Sequence, residues 1–306
     1  SGGELKTALK LGKSISNFTV RGSGSFLSSG AYDLANTDSK QANSSKFMTS
    51  GGVGLTYNDG DNYFGFSVDK LEAVYFLPGP EGEENITSLN PTRNTFTFKS
   101  SVSLGNSFIE KFNLEGTASE YNHAERTTVG KNHNITFFND AYEFKTSFNH
   151  KSLISQNSNG LLGFHFQNKD QGALGDEEGH LERTKTNSFA FFILENFNFD
   201  SFDLDIGGRV ESVNLKNTNN ENGFFPGAFS STIKKEVILN NTVYAGFDFT
   251  QRAPNPVELY ANGPHHALEN FENGDQNLNV ESSYNFSLGY NYGKNVDKFK
   301  FETYYN

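Results

Sequence analysis

Hydrophobic and polar residues alternate with a period of two along most of the chain. Because successive side chains of a β-strand point to opposite faces, such a segment has one apolar and one polar face. Similar segments recur throughout and predict about fourteen antiparallel strands, most near the roughly 9–11 residues with which a tilted strand crosses an outer membrane. The clearest segment sets Phe202, Leu204, Ile206, Gly208 and Val210 against Asp203, Asp205, Gly207, Arg209 and Glu211.

Short and long connections alternate between these segments. The short connections are rich in Asn, Asp, Gly and Ser, which adopt turn conformations readily, and Asn58-Asp59-Gly60 is a hairpin signal. The long connections are polar and lie near residues 29–46, 76–91, 122–134, 168–183, 214–226 and 251–280. Hairpins that are short at one end of a sheet and long at the other are typical of transmembrane β-barrels. The pattern therefore favours an all-β antiparallel barrel over a soluble propeller or sandwich.

Amino-acid composition excludes several other classes of protein. The chain has 31 Phe and 13 Tyr among 306 residues, which excludes a disordered chain. The longest apolar run, residues 189–194, is far shorter than the ~20 residues of a membrane helix. A net charge of −11 argues against a nucleic-acid partner, and the lack of cysteine excludes disulfides and thiol chemistry. The chain has no Trp, so tyrosines near strand ends would have to form the aromatic girdles of a barrel.

One segment is specific for a known family. It contains Arg252-Ala253-Pro254, then Glu258-Leu259-Tyr260, then Gly263-Pro264-His265, and it continues through Gly274 to Leu278 and Glu281. This ordered set resembles the barrel of TonB-dependent outer-membrane receptors. Weaker matches occur at residues 74–79, 188–192 and 207–211, so the resemblance covers most of the chain.

The resemblance implies a receptor in the outer membrane of a Gram-negative bacterium. Such a receptor is embedded in lipid, binds a scarce solute and releases it with energy from the TonB complex, which acts through an N-terminal plug. The family barrel has about 22 strands, and neither the plug nor the TonB-contacting segment is found in this sequence. The parity of the turns predicts that residues 1–306 form one incomplete barrel, approximately strands 2 to 15, that does not function alone.

Within the family, the Gly-Pro-His run and a preceding acidic loop are most similar to the zinc-uptake branch. This resemblance implies metal ligands at His265 and at Asp176 or Glu177, with His266 and His180 as further candidates. Imidazole nitrogen and carboxylate oxygen suit zinc. The metal would be a transported substrate, and no resident cofactor is expected. Adjacent strand residues face opposite ways, so His265 and His266 share one ion only if the chain bends. The alternative is that all five are solvated loop residues.

The polar strand faces are expected to line the lumen, and Asp203, Asp205, Arg209 and Glu211 are the predicted lumen-facing residues. No Gly-x-Ser-x-Gly motif is present, and the chain is not expected to be an enzyme. An iron-chelate (siderophore) receptor is the first alternative function, and a passive porin or a barrel enzyme is the second. Three histidines near hairpin ends, His123, His133 and His150, are interpreted as surface residues, and a histidine-rich capture loop is the alternative.

Overall fold

The computed structural model describes residues 3–78, 87–105, 108–127, 134–151, 158–175, 181–265, 270–294 and 297–306. Among these residues, no helix is both long enough and apolar enough to cross a bilayer. The elements are β1 (Glu4–Ile15), β2 (Phe18–Ser29), β3 (Lys46–Asn58), β4 (Tyr63–Phe76), β5 (Thr87–Ser103), β6 (Ile109–Thr127), β7 (Asn134–Lys151), β8 (Asn159–Gly175), β9 (Thr184–Phe199), β10 (Phe202–Lys216), β11 (Glu221–Phe224), β12 (Gly227–Ile238), β13 (Asn241–Arg252), α1 (Pro256–Tyr260), β14 (Asn262–His265), β15 (Asn270–Asn273), β16 (Glu281–Lys294) and β17 (Asp297–Tyr305).

The strands form one antiparallel meander. The sheet runs in the order β1-β2-β3-β4-β5-β6-β7-β8-β9-β10-β12-β13-β16-β17, which confirms the prediction of about fourteen strands and an all-β fold. The three remaining strands lie in long connections. β11 extends the edge of β10, and β14 pairs with β15 as a separate hairpin.

The alternation of short and long connections is also present in the structure. Two residues join β1 to β2, β9 to β10, and β12 to β13, whereas residues 30–45 and 253–280 form long connections. In the hairpin between β3 and β4, Asp59 Oδ1 accepts hydrogen bonds from Asn62 N at 2.7 Å and Asp61 N at 3.0 Å. The bond from Asn62 N holds the pKa of Asp59 below its ordinary value. Gly60 has a φ of 99°, a left-handed conformation that glycine adopts readily.

The register separates the side chains into two faces. Val210 lies opposite Phe191, which lies opposite Phe164, and these residues belong to what we call the apolar face. The other side, the polar face, carries Asp203, Asp205, Arg209 and Glu211, as the alternation predicts. That the polar face lines a lumen stays a prediction at this point.

The apolar face is not covered by a second layer of the described chain. Phe189 and Phe286 are each 53% exposed, and Val210 is 63% exposed. Rings on this face pack mainly against rings of neighbouring strands, as Phe247 does with Phe286 at a centroid distance of 4.9 Å. An apolar surface this extensive on a soluble protein marks a contact with another molecule or a membrane. The exposure agrees with the expectation that lipid covers these rings.

A substitution on each face tests this expectation. Phe166 of β8 lies on the apolar face between Phe144 and Phe189, and its neighbour Gln167 lies on the polar face. If lipid covers Phe166, then Phe166→Arg lowers the free energy of unfolding of the full-length protein in lipid vesicles by roughly 2–4 kcal/mol. The matched control Gln167→Arg, opposite Glu143, should change it little. Equal effects in urea titrations would show that the two faces do not differ in environment.

Candidate functional site

The segment that carries the family resemblance begins with an arginine that binds two carboxylates. Arg252 ends β13 and lies directly opposite Glu281, the first residue of β16. Its Nη1 and Nη2 atoms donate to the two carboxylate oxygens of Glu258, each at 2.9 Å. Its Nε and Nη2 atoms donate to Glu281 Oε2 at 3.0 and 2.6 Å. Such charge-assisted, two-pronged contacts are strong and directional, so Arg252 ties two strand ends to the connection between them.

Glu258 also caps the short helix α1. Glu258 N donates to the side chain of Asn255 at 2.9 Å, and Asn255 N donates to Glu258 Oε2 at 2.7 Å, forming a capping box. Hydrogen bonds from Arg252, followed by the one from Asn255 N, hold the pKa of Glu258 below its ordinary value. A five-residue helix is marginal by itself, so these contacts stabilise α1 in this position.

Two residues of α1 pack against the polar face of β10. Leu259 is 1% exposed and Tyr260 is 7% exposed, and they form a cluster with Val213 and Leu215. The Tyr260 hydroxyl lies 3.2 Å from Leu215 O and 2.8 Å from Asn222 Oδ1. Burial raises the pKa of Tyr260. These contacts hold the connection between β13 and β16 against the strand wall rather than leaving it in solvent.

The same connection is closed by backbone contacts. Gly274 N donates to Ala261 O at 2.7 Å, and Asp275 N donates to Glu258 O at 2.8 Å. A Cβ atom at Gly274 would come within 2.5 Å of the backbone of α1, so only glycine fits at this position. We call residues 252–265 together with 270–281 the anchored loop.

The structure brings the predicted motif residues together in the anchored loop. Pro254 and Gly263 are buried, and Gly263 and Pro264 pair with β15 across from Glu272 and Phe271. The predicted set is Arg252, Pro254, Glu258, Leu259, Tyr260, Gly263 and Pro264. All seven residues belong to the anchored loop, and Leu259, Tyr260, Pro254 and Gly263 are buried in it.

The predicted metal ligands are not tested by the structure. Asp176, Glu177, His180 and His266 lie outside the described residues. His265 lies in β14 opposite Asn270, and only its backbone is described. Within the described ranges, no group of three or more His, Asp and Glu side chains is arranged to hold a metal ion. The zinc ligand set therefore stays a prediction.

The predicted lumen-facing residues take part in charge networks on the polar face. Asp205 accepts hydrogen bonds from Lys234 of β12 and Asn196 of β9. Arg209 donates to Glu211 Oε2 from Nε at 3.2 Å and from Nη2 at 3.0 Å. Alternation predicts that these residues share a face, but it does not predict their partners.

His165 extends the network of Arg209 onto β8. Arg209 Nη2 lies 3.2 Å from His165 Nδ1, and His165 Nε2 lies 3.0 Å from Glu143 Oε1. Because guanidinium only donates, Nδ1 must accept, and Nε2 then carries the proton that Glu143 accepts. His165 thus bridges Arg209 of β10 and Glu143 of β7. They border an open cavity of about 560 Å³, lined also by Lys145, Phe192 and Asp248.

His150 is largely buried, so its interpretation as a surface residue is wrong. It lies on the apolar face, where its Nε2 atom is 3.2 Å from Glu195 Oε1 and its ring stacks on Phe108. Gly160 lies on the strand between these two side chains, and a Cβ atom there would come within 2.5 Å of both of them. Alternation gives no sign of this pair, because Glu195 interrupts an otherwise apolar series.

His123 is not a solvated surface residue either. It lies on the polar face among the rings of Tyr75, Tyr121 and Phe137, with centroid distances of 6.1–6.5 Å. Its Nε2 atom is 3.6 Å from Glu125 Oε1. The third histidine of this group, His133, lies outside the described residues.

We call the contacts of Arg252 with Glu258 and Glu281 the clamp. The clamp predicts that the stability of the anchored loop depends on pH. Because the folded-state pKa of Glu258 is lowered, the clamp contributes stability above the ordinary glutamate range, and this contribution is lost as the pH falls through the lowered pKa. We expect Glu258→Gln to speed proteolytic cleavage within residues 253–280 at pH 7 and to weaken the acceleration that acid causes in the wild type.

Mass spectrometry of timed digests of the full-length protein measures both effects. Asn262→Ala, an exposed position in β14, is the matched control and should behave like the wild type. Identical cleavage of Glu258→Gln and wild type would show that the clamp does not hold the loop.

Comparison with known proteins gives one family and several solved structures. The family described as "TonB dependent receptor-like, beta-barrel" matches residues 6–306. The copper transporter OprC superimposes with a TM-score of 0.82 at 13% identity, covering 99% of this chain and 51% of that one.

Two further structures have the same fold. A double mutant of the Serratia marcescens hemophore receptor HasR, in complex with its hemophore HasA and heme, has a TM-score of 0.73 at 11% identity and covers 95% of this chain and 51% of that one. The unliganded ferric citrate transporter FecA has a TM-score of 0.73 at 11% identity, and the match covers 99% of this chain and 49% of that one. The chain thus spans about half the length of these proteins. With the family match extending over residues 6–306, the chain belongs to the TonB-dependent receptor-like β-barrel family, a family of receptors rather than enzymes.

Proposed function

We propose that this chain is the barrel part of an outer-membrane receptor of a Gram-negative bacterium, which takes up a scarce metal ion or metal complex with energy from TonB. The observation that carries the proposal is the family match over residues 6–306. Three similar structures, those of a copper transporter, a hemophore receptor and a ferric citrate transporter, support a metal-containing solute.

The domain assignment is part of this proposal. The chain corresponds to about half of each similar protein, which agrees with approximately strands 2 to 15 of a barrel of about 22 strands. TonB would act through a plug encoded outside the present sequence. The membrane lipid would cover the apolar face, whose large side chains are exposed.

We also propose that the polar face lines the lumen. The charge networks of Asp205 and Arg209 lie on this face, and α1 packs against it through Leu259 and Tyr260. The anchored loop would then lie inside the mouth of the barrel, where a solute enters. Its clamp would keep the shape of the mouth constant while other loops determine which solute binds.

Zinc is our first choice of solute, and an iron chelate is the second. The zinc proposal depends on His265 and on Asp176 or Glu177, with His266 and His180 as additional ligands, because imidazole and carboxylate groups suit this ion. The iron-chelate proposal is supported by the fold shared with a ferric citrate transporter. The two are equally compatible with the family.

Growth experiments test transport. A strain that lacks its other zinc and iron receptors should grow under metal limitation when it expresses the full-length protein, and deletion of TonB should abolish this growth. Growth that persists without TonB would favour a passive porin. Growth under iron limitation alone would assign the iron chelate.

Metal analysis tests the zinc ligands. We expect His265→Ala to lower the zinc retained by the purified full-length protein at least severalfold, because the change removes a nitrogen ligand. Asn262→Ala in the same strand β14 is the control and should retain zinc. Unchanged zinc in His265→Ala would refute this site while leaving the receptor function to the growth experiment.

A further inference from the structure

A histidine and a glutamate lie close together on the apolar face, near the end of the sheet where the connections are short. His150 of β7 lies directly opposite Gly160 of β8, which lies directly opposite Glu195 of β9. Because the glycine has no side chain, the two polar side chains occupy the space above it. The nearest residues of the same face along the three strands are apolar, namely Phe148, Leu162 and Ile193.

The histidine ring is buried, and its contacts define which nitrogen carries the proton. The His150 side chain is 8% exposed, and its ring stacks on Phe108 at a centroid distance of 5.4 Å. Its Nδ1 atom lies 3.1 Å from Lys151 O. Because a carbonyl oxygen only accepts hydrogen bonds, Nδ1 carries the proton of the neutral ring. The free lone pair of the neutral ring is therefore on Nε2.

This Nε2 atom has no hydrogen-bond partner among the residues that the structure describes. It is buried and makes no hydrogen bond, although Glu195 Oε1 lies 3.2 Å away. A carboxylate oxygen and the Nε2 atom of this neutral ring are both acceptors, so the two atoms repel each other unless a positive charge lies between them. Buried polar groups without a partner cost free energy. The contact between His150 and Glu195 is therefore incomplete without a cation.

The distance between the two atoms fits a shared metal ion. Zinc bonds of about 2.0–2.1 Å at the tetrahedral angle place two ligand atoms roughly 3.3–3.4 Å apart, and His150 Nε2 and Glu195 Oε1 are 3.2 Å apart. The hydrogen bond from Nδ1 to a backbone carbonyl is a contact that metal-binding histidines commonly make with their other nitrogen. A proton on Nε2 would instead form a hydrogen bond with Glu195, and the two side chains form none.

Water would complete the coordination of this ion. The described residues contain no group of three or more His, Asp and Glu side chains that could hold a metal, so the protein supplies two side chains here. The Glu195 side chain is 19% exposed, which leaves one side of the contact open. Lys151 and Glu110 adjoin the contact, with 4.0 Å between their charged atoms, and both side chains are about half exposed. Solvent therefore reaches this end of the sheet.

We infer that His150 and Glu195 bind a divalent transition-metal ion such as Zn²⁺, which links β7 to β9 across β8. Imidazole nitrogen and carboxylate oxygen are ligands that zinc accepts. The ion would be a resident structural ion on the apolar face, separate from the transported solute. The inference goes beyond the proposed function and does not depend on which solute the receptor takes up.

Cobalt(II) tests the inference, because it replaces zinc in tetrahedral sites and then absorbs visible light. The reference protein is the full-length receptor with His265→Ala, which removes a proposed transport ligand; it is purified in detergent, stripped with a chelator and titrated with cobalt(II). We expect a tetrahedral cobalt spectrum. Adding His150→Gln should weaken this binding by more than the roughly tenfold that loss of an outer contact causes. Adding His150→Cys instead should retain the ion and produce a sulfur-to-cobalt charge-transfer band.

The matched control is His165→Gln, because both ring nitrogens of His165 already contact Arg209 and Glu143. Added to the reference protein, it should leave cobalt binding unchanged. In a second measurement, zinc should raise the Tm of the reference protein but not that of the same protein with Glu195→Gln.

Equal cobalt affinity with and without His150→Gln would overturn the inference. A reference protein whose Tm responds to pH but not to zinc would also overturn it, because a proton would then join the two side chains. Loss of TonB-dependent growth alone would contradict the proposed function and not this inference.

Discussion

The sheet depends on a largely continuous antiparallel register. Most strands of the path pair with their neighbours over most of their length, with shifts only between Ile109 and Lys111 and between Glu236 and Ile238 among the described pairings. Successive residues elsewhere are therefore committed to opposite faces. A slip of one residue would bring Asp203 and Asp205 to the side of Phe191. Tight hairpins such as the one closed by Asp59 hold this register. Most charged side chains therefore meet on the polar face or at the strand ends, whereas the Lys70–Glu72 and His150–Glu195 contacts lie on the apolar face.

The anchored loop shows how a long connection becomes part of this wall. Arg252 lies where β13 and β16 part, and it holds both Glu281 of the next strand and Glu258 of the connection. Leu259 and Tyr260 then pack the loop against β10, which lies several strands earlier in the sequence. Charge fixes the base of the loop, and apolar packing holds α1 against the strand wall. A loop built this way keeps its shape without a large core.

Much of this fold is readable from the sequence, because alternation and turn composition are local signals. The apolar and charged series of β10 and the Asn58-Asp59-Gly60 hairpin needed no distant information. Partners on other strands were not readable. His165 meets Arg209 across the intervening strand β9, and His150 meets Glu195 across β8. Pairings of that kind depend on register over two hairpins, and neither periodicity nor composition encodes it. The zinc ligands stay predictions because most lie outside the described residues.

The glycine at position 160 leaves room for a contact between two polar side chains on the apolar face. The ends of the His150 and Glu195 side chains occupy the space that a larger residue at position 160 would need. A larger residue there would make both side chains rotate away and would separate them from each other. The contact between His150 and Glu195 therefore depends on a residue without a side chain on the strand between them.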